Sequence, residues 1–99
     1  MLISGETVKF KSIDTLYVKE KSGIKPYTIR ILTVQEMHAF RESSPTWIRI
    51  VQSKTAGHEY FEREITDTSL IGKFIGRYML GIAWRHPDGE QGVEIRRER

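Results

Sequence analysis

The chain has 99 residues, no cysteine, 16 Lys and Arg against 13 Asp and Glu, and a formal net charge of +3. That length makes one domain spanning residues 1–99, which buries about two thirds of its unfolded surface around one thin core. The composition excludes a disulfide framework and a thiolate metal site. No apolar run approaches the ~20 residues of a membrane-spanning helix, and Met1–Phe10 lacks the basic start and apolar core of a signal peptide. No membrane role and a cytoplasmic location are the expectations.

In chain order, Thr7–Lys11 alternates polar and apolar residues, the period of a half-buried strand. Ser12 is placed to cap a helix, with Asp14 in its first turn, where the dipole favours an anion. Ile13, Leu16 and Tyr17 fall at i, i+3 and i+4 and are expected to share the buried face. Gly23 ends this helix, because glycine takes the left-handed conformation cheaply. Pro26 extends Lys25, and Tyr27–Leu32 reads as a strand. Thr33 and Glu36 form a T-x-x-E capping box for a second helix over Val34–Glu42, with Val34 and Met37 facing the core. Ser43, Ser44 and Pro45 stop it.

The remainder is mostly β. Trp47–Val51 and His58–Thr66 read as strands joined by a hairpin through "SKTAGH". Gly72 and Gly76 flank an expected loop or helical turn over Leu70–Gly76. Tyr78–Trp84 is a short apolar run and reads as the central strand. "HPDG" from His86 reads as a turn, Val93–Arg96 as an edge strand, and "RRER" as a frayed tail. Strand, helix, strand, helix and then several strands is an α+β order. A mostly antiparallel sheet of short strands in so small a chain is expected to curl into a barrel, which removes exposed edges.

Few residues group as chemistry requires. His38, His58 and His86 lack the close pairing of metal ligands, so neither a metal nor a cofactor is expected. There is no G-x-S-x-G elbow, P-loop or dinucleotide fingerprint. Asp67 reads as a cap or turn residue, and Glu62 and Glu64 as one solvated strand face with Arg63 on the other.

The stretch "SGIKPYTIR" differs. Gly23-x-Lys25-x-x-Thr28-x-Arg30, preceded by strand and helix and followed by strand, resembles the ASCH domain of the PUA-like superfamily. Threonine in place of the usual glutamate is similar to the small amidohydrolases acting on N4-acetylcytidine. The resemblance, which loosely covers Thr7–Trp84, implies a small ASCH-type β-barrel with two short helices and a cleft beside Gly23–Arg30. It implies RNA or a modified nucleoside as partner. In the amidohydrolases lysine and threonine react, which maps to Lys25 as base and Thr28 as nucleophile. The chemistry is reasonable, because a desolvated lysine beside a second cation has a lowered pKa and can activate a hydroxyl. Arg30 alternates with Thr28 and shares its face, where a guanidinium binds phosphate or carbonyl through two donors. Those enzymes also use a glutamate on a helical insertion before the last core strand. Here that region, "LIGKFIGRYM", is short and holds none.

Three readings follow. The first is an RNA- or nucleotide-binding module. Gly23, Lys25, Thr28 and Arg30 would line its cleft, Tyr27 and Trp47 would stack on bases, and Lys19, Lys21 and Lys73 would attract phosphate. The second is an amidohydrolase using Lys25 and Thr28. The third is a protein-binding or inhibitory accessory protein of a phage or mobile element, with contacts on a sheet edge or the charged tail.

Overall fold

The structure, a computed structural model, describes residues 1–53 and 59–87. Six strands and two helices follow one another as β1 (Leu2–Ser4), β2 (Thr7–Ser12), α1 (Asp14–Ser22), β3 (Tyr27–Thr33), α2 (Val34–Ser43), β4 (Trp47–Gln52), β5 (Tyr60–Phe74) and β6 (Arg77–Trp84). They build one mixed sheet in the order β1-β2-β4-β5-β6-β3. β2 and β4 pair in parallel, and the other neighbours are antiparallel. The fold is α+β as expected, but the sheet is open. Among the described residues β1 and β3 remain its edges, which corrects the expected barrel.

The strands obey the period of two. On β2 and β4, Val8, Phe10, Ile48 and Ile50 point inward and are buried. Phe61 on β5 and Leu80, Ile82 and Trp84 on β6 complete the inner face. Tyr17 of α1 packs on Phe61 with ring centroids 5.3 Å apart, and Phe61 meets Trp84 edge-on at 6.1 Å. Met37 and Phe40 of α2 close the core beside Leu32 and Leu80. Both helices therefore cover the inner face.

α2 forms as its sequence dictates. The Thr33 hydroxyl accepts from the Glu36 N–H at 3.1 Å, and the Glu36 carboxylate accepts from the Thr33 N–H at 3.0 Å. Ser44 ends the helix in a left-handed conformation. Met37 is buried as expected, but Phe40 rather than Val34 is its partner in the core, and Val34 is exposed.

α1 departs further. Gly23 ends it with φ of 93°, as expected, but Ile13 occupies the N-terminal cap position and Ser12 makes no cap bond. Ile13 and Leu16 are exposed; the buried face consists of Tyr17 and Glu20. A carboxylate has taken an expected apolar place, for a reason that lies in the site below.

β5 is the largest departure. The expected loop or helical turn over Leu70–Gly76 is strand as far as Phe74, and the turn is confined to Ile75 and Gly76. Two register shifts, between Ile65 and Asp67 and between Leu70 and Gly72, interrupt the alternation. Each bulge adds a residue and moves the following side chains to the opposite face. Asp67 is accordingly a strand residue rather than a cap or turn. β6, expected as the central strand, is the fifth of six, interior between β5 and the edge strand β3. β1, three residues long, had no sequence signal. The expected hairpin residues 54–58, Asp88 and Gly89 of the "HPDG" turn, the Val93–Arg96 strand and the charged tail lie outside the described residues.

The capping box gives the first prediction. Thr33→Ala leaves an orphan N–H at the start of α2 and costs about 1 kcal/mol. In a domain of this size that lowers the thermal midpoint by about 4–8 °C, measurable by circular dichroism.

Candidate functional site

The alternation of β3 sends Thr28, Arg30 and Leu32 inward and Tyr27, Ile29 and Ile31 outward. Thr28 is 2% exposed. Arg30 reaches from β3, at one edge of the sheet, to β2 near the other. Its Nε donates to Thr28 Oγ1 at 3.0 Å, Nη1 to the Lys11 carbonyl at 2.8 Å and Nη2 to Ser12 Oγ at 2.6 Å. The guanidinium also lies 4.8 Å from the centre of the Phe10 ring. β1 pairs with β2 only from Thr7 to Lys9, so the Lys11 carbonyl lies beyond its cover. Arg30 is thus a side-chain strut across the seam of the open sheet.

Behind it lies a carboxylate. Glu20, fully buried, accepts from Ser12 Oγ at 2.8 Å through Oε1 and from Lys25 Nζ at 3.1 Å through Oε2. Lys25 Nζ donates in addition to the Tyr27 carbonyl at 2.9 Å and sits 4.7 Å over the Tyr27 ring. Burial lowers the Arg30 pKa, and the negative charge of Glu20 opposes that shift; a guanidinium stays charged throughout the working pH range. Gly23, at the end of α1, packs so closely on His86 that a Cβ there would stand 2.9 Å from the ring.

Four of the sequence-predicted residues therefore assemble: Gly23, Lys25, Thr28 and Arg30. Tyr27 joins them on the outer side. Trp47 does not. It starts β4 opposite Thr7, whereas the Ser12 end of β2 faces Gln52; the five-residue offset is about 16 Å along a strand. Lys73 pairs with Tyr78, and Thr28 with Ile82, so Lys73 is removed by about 13 Å at the far end of the β5–β6 ribbon. Lys21 is bound to Glu59 at 2.9 Å. That bond is the main cause holding the Glu59 carboxyl below its ordinary pKa. Lys19 is exposed on α1.

The open cleft beside this network is displaced from the expected place. It has a volume of about 460 Å³ and is lined by Lys9, Phe10 and Lys11 of β2 and by Ile29, Arg30 and Ile31 of β3, among others. Lys9 and Lys11 were missed as site residues, although the alternation of Thr7–Lys11 already put them together on one face. Glu20 was missed too, and its signal was its place three residues after Tyr17, on the same helical face. It is the carboxylate that meets Lys25; Glu64 and Asp67 are exposed positions of β5. A larger cavity of about 540 Å³ between α2 and β5 holds none of the expected site residues. Among the described residues no cluster of three His, Cys, Asp or Glu could hold a metal ion.

Compared with protein-family models, with curated proteins and with solved structures, the chain finds no match.

The buried pair yields the second prediction. Glu20→Ala leaves Lys25 and Ser12 without their acceptor and costs about 3–5 kcal/mol. The double variant Glu20→Leu/Lys25→Met recovers most of that loss, because it removes both charges. Urea denaturation of the two variants and the wild type measures the difference.

Proposed function

We propose that the chain is an RNA- or nucleotide-binding module whose ligand enters the cleft between β2 and β3. The observation that carries this reading is the state of Arg30. A guanidinium has five N–H donors. Three of them are engaged by Thr28, Lys11 and Ser12, which fix the plane and leave one donor on each terminal nitrogen. A phosphate meeting that plane finds two donors already oriented, with little side-chain entropy left to lose. Lys9 and Lys11 add positive charge along the same wall. The G-x-K-x-x-T-x-R resemblance to ASCH domains supports the same class of ligand, with Lys25 placing Arg30 indirectly through Glu20 and Ser12.

Hydrolysis draws less support. The Thr28 hydroxyl is almost wholly covered and accepts a hydrogen bond from Arg30, so a substrate carbonyl has no approach to it. Lys25 is committed to Glu20 and the Tyr27 carbonyl, and would have to break an ion pair to act as a base.

Fluorescence anisotropy with labelled single-stranded RNA tests the proposal. Three phosphate contacts, from Lys9, Lys11 and Arg30, predict about a 20-fold weaker affinity at 200 mM than at 50 mM salt, from ~0.7 log units of slope per contact. Lys9→Ala/Lys11→Ala flattens the slope by about two contacts without unfolding the chain, since both side chains point outward. Absence of RNA binding by the wild type at low salt would overturn the reading. Turnover of N4-acetylcytidine that vanishes with Thr28→Ala would replace it with the hydrolase.

A further inference from the structure

The outer face of the β3–β6–β5 ribbon has no cover, because both helices pack on the inner side. Register defines its composition. Outward rows run Ile31–Met79–Gly72, Ile29–Gly81–Ser69 and Tyr27–Ala83–Asp67. Ile71, the extra residue of the second bulge, lies across Gly81, where a Cβ would come within 2.8 Å of its Cδ1. Phe74 and Arg77 pair at the turn end of the same face. Tyr27, Ile29, Ile31, Ile71 and Phe74 are 45%, 47%, 50%, 52% and 48% exposed. At ~200 Å² per large side chain, these five leave on the order of 500 Å² of apolar surface in water. That is the size of the largest patch on an ordinary monomer, and such patches are often functional.

Charge is confined to the two ends. Asp67 closes the face at the Tyr27 end, where Lys25 also lies over the Tyr27 ring with its charge paired to Glu20, and Arg77 closes it at the turn end, six β6 positions or about 20 Å away. A two-fold axis lying in the plane of the sheet and across its strands would bring Asp67 of one copy over Arg77 of the other, twice. The middle of the contact would be apolar on both sides. With Met79, Ala83 and the charged ends, the face reaches ~800 Å² per partner, the size of a standard stable interface.

From this we infer that the outer face of β3, β6 and β5 is a homodimer interface. Two copies pack sheet on sheet, with strands reversed and Asp67–Arg77 pairs at both ends. A two-fold contact requires one patch that is complementary to itself, and this face meets that condition in both polarity and charge. The ~10 Å spacing of packed sheets leaves room for Ile71 of each copy above the other's Gly81–Ala83 strip. The inference goes beyond RNA binding and stands or falls separately from it.

Sedimentation equilibrium from about 1 to 200 µM covers the affinities such an interface gives. The wild type is expected to sediment as a dimer. Asp67→Arg and Arg77→Asp each weaken association at least 10-fold, and the exchange Asp67→Arg/Arg77→Asp restores it. Ile71→Glu abolishes it. Circular dichroism shows each variant folded; Asp67 and Arg77 are exposed, so these two changes leave the core untouched. A wild type that stays monomeric overturns the inference. So does a dimer that survives Ile71→Glu and Asp67→Arg, or an exchange that fails to restore association. RNA affinity measured on the same variants is expected to be unchanged at saturating dimer, which separates the two surfaces.

Discussion

One side chain holds the two ends of the sheet together. A six-stranded sheet twists and coils, and without further contact its first and last strands diverge. Here β3 returns toward β2, and Arg30 spans the gap with hydrogen bonds to a backbone carbonyl and two hydroxyls. The carbonyl of Lys11 would otherwise be an unpaired acceptor on a strand edge, since β1 stops at Lys9. A long, rigid, multiply donating group suits that task, and a lysine could not reproduce it. The strut stands where a sixth ladder of backbone bonds would close the sheet, so the seam is joined at one point and open on either side. The cleft is a direct consequence.

The polar network behind Arg30 explains the odd composition of α1. A nine-residue helix with one buried aromatic is weakly anchored by apolar contact alone. Glu20 supplies a second anchor, but a buried carboxylate is tolerable only when its lone pairs are met. Ser12, at the end of β2, and Lys25, at the start of the run into β3, meet them. Arg30 then donates to the same Ser12 hydroxyl, which in turn donates to Glu20. Three chain segments are thereby fixed relative to one another by a single chain of bonds. Arg63 plays a comparable part on the far side of α1. It is buried against the Phe61 ring and donates to the Lys21 carbonyl near the helix C-terminus. Such networks specify one arrangement because every alternative leaves a charge unpaired. The arrangement that positions Lys25 and Thr28 is also the one that occupies Lys25 Nζ and Thr28 Oγ1.

Local rules carried the sequence reading where local chemistry decides the outcome. The capping box, the left-handed glycine at the end of α1, the strand before Thr33 and the apolar run of β6 are set by neighbours within a few residues. Gly23, Lys25, Thr28 and Arg30 converge for the same reason: a tight helix end followed by a strand of period two. The reading failed where distant contacts choose between local options. Ile13, Leu16 and Tyr17 have helical spacing, yet the helix rotates to bury Glu20, a preference visible only with Ser12 and Lys25 in place. The run from Thr66 to Phe74 looks irregular because two bulges break its alternation, and Gly72 falls at the second of them. Barrel closure failed as an expectation because it depends on where β3 ends up relative to β2, which no short window records. Lys9 and Lys11 were legible as a face but not as part of a site, since their partner lies some twenty residues away.

The two open surfaces have a common origin in the shape of β5. Its first half pairs with β4, while its second half pairs with β6 alone. The first bulge sits at that junction. It shifts the alternation of β5, so that Thr68 and Leu70 pair with the inward Ile82 and Leu80 while Asp67 and Ser69 pair with the outward Ala83 and Gly81. The second half of β5, β6 and β3 form one ribbon. One of its edges, β3, is brought to the seam and makes the basic cleft, and its back is left bare. A fully closed barrel would have buried the edge and supported β3 from both sides, at the expense of the cleft. With the edge left open, β3 has backbone partners on one side only, and its outward isoleucines lack neighbours to cover them. Burying those isoleucines against a second sheet would supply the layer that the fold lacks, while the Arg30 seam stays accessible on the other side of the same strand.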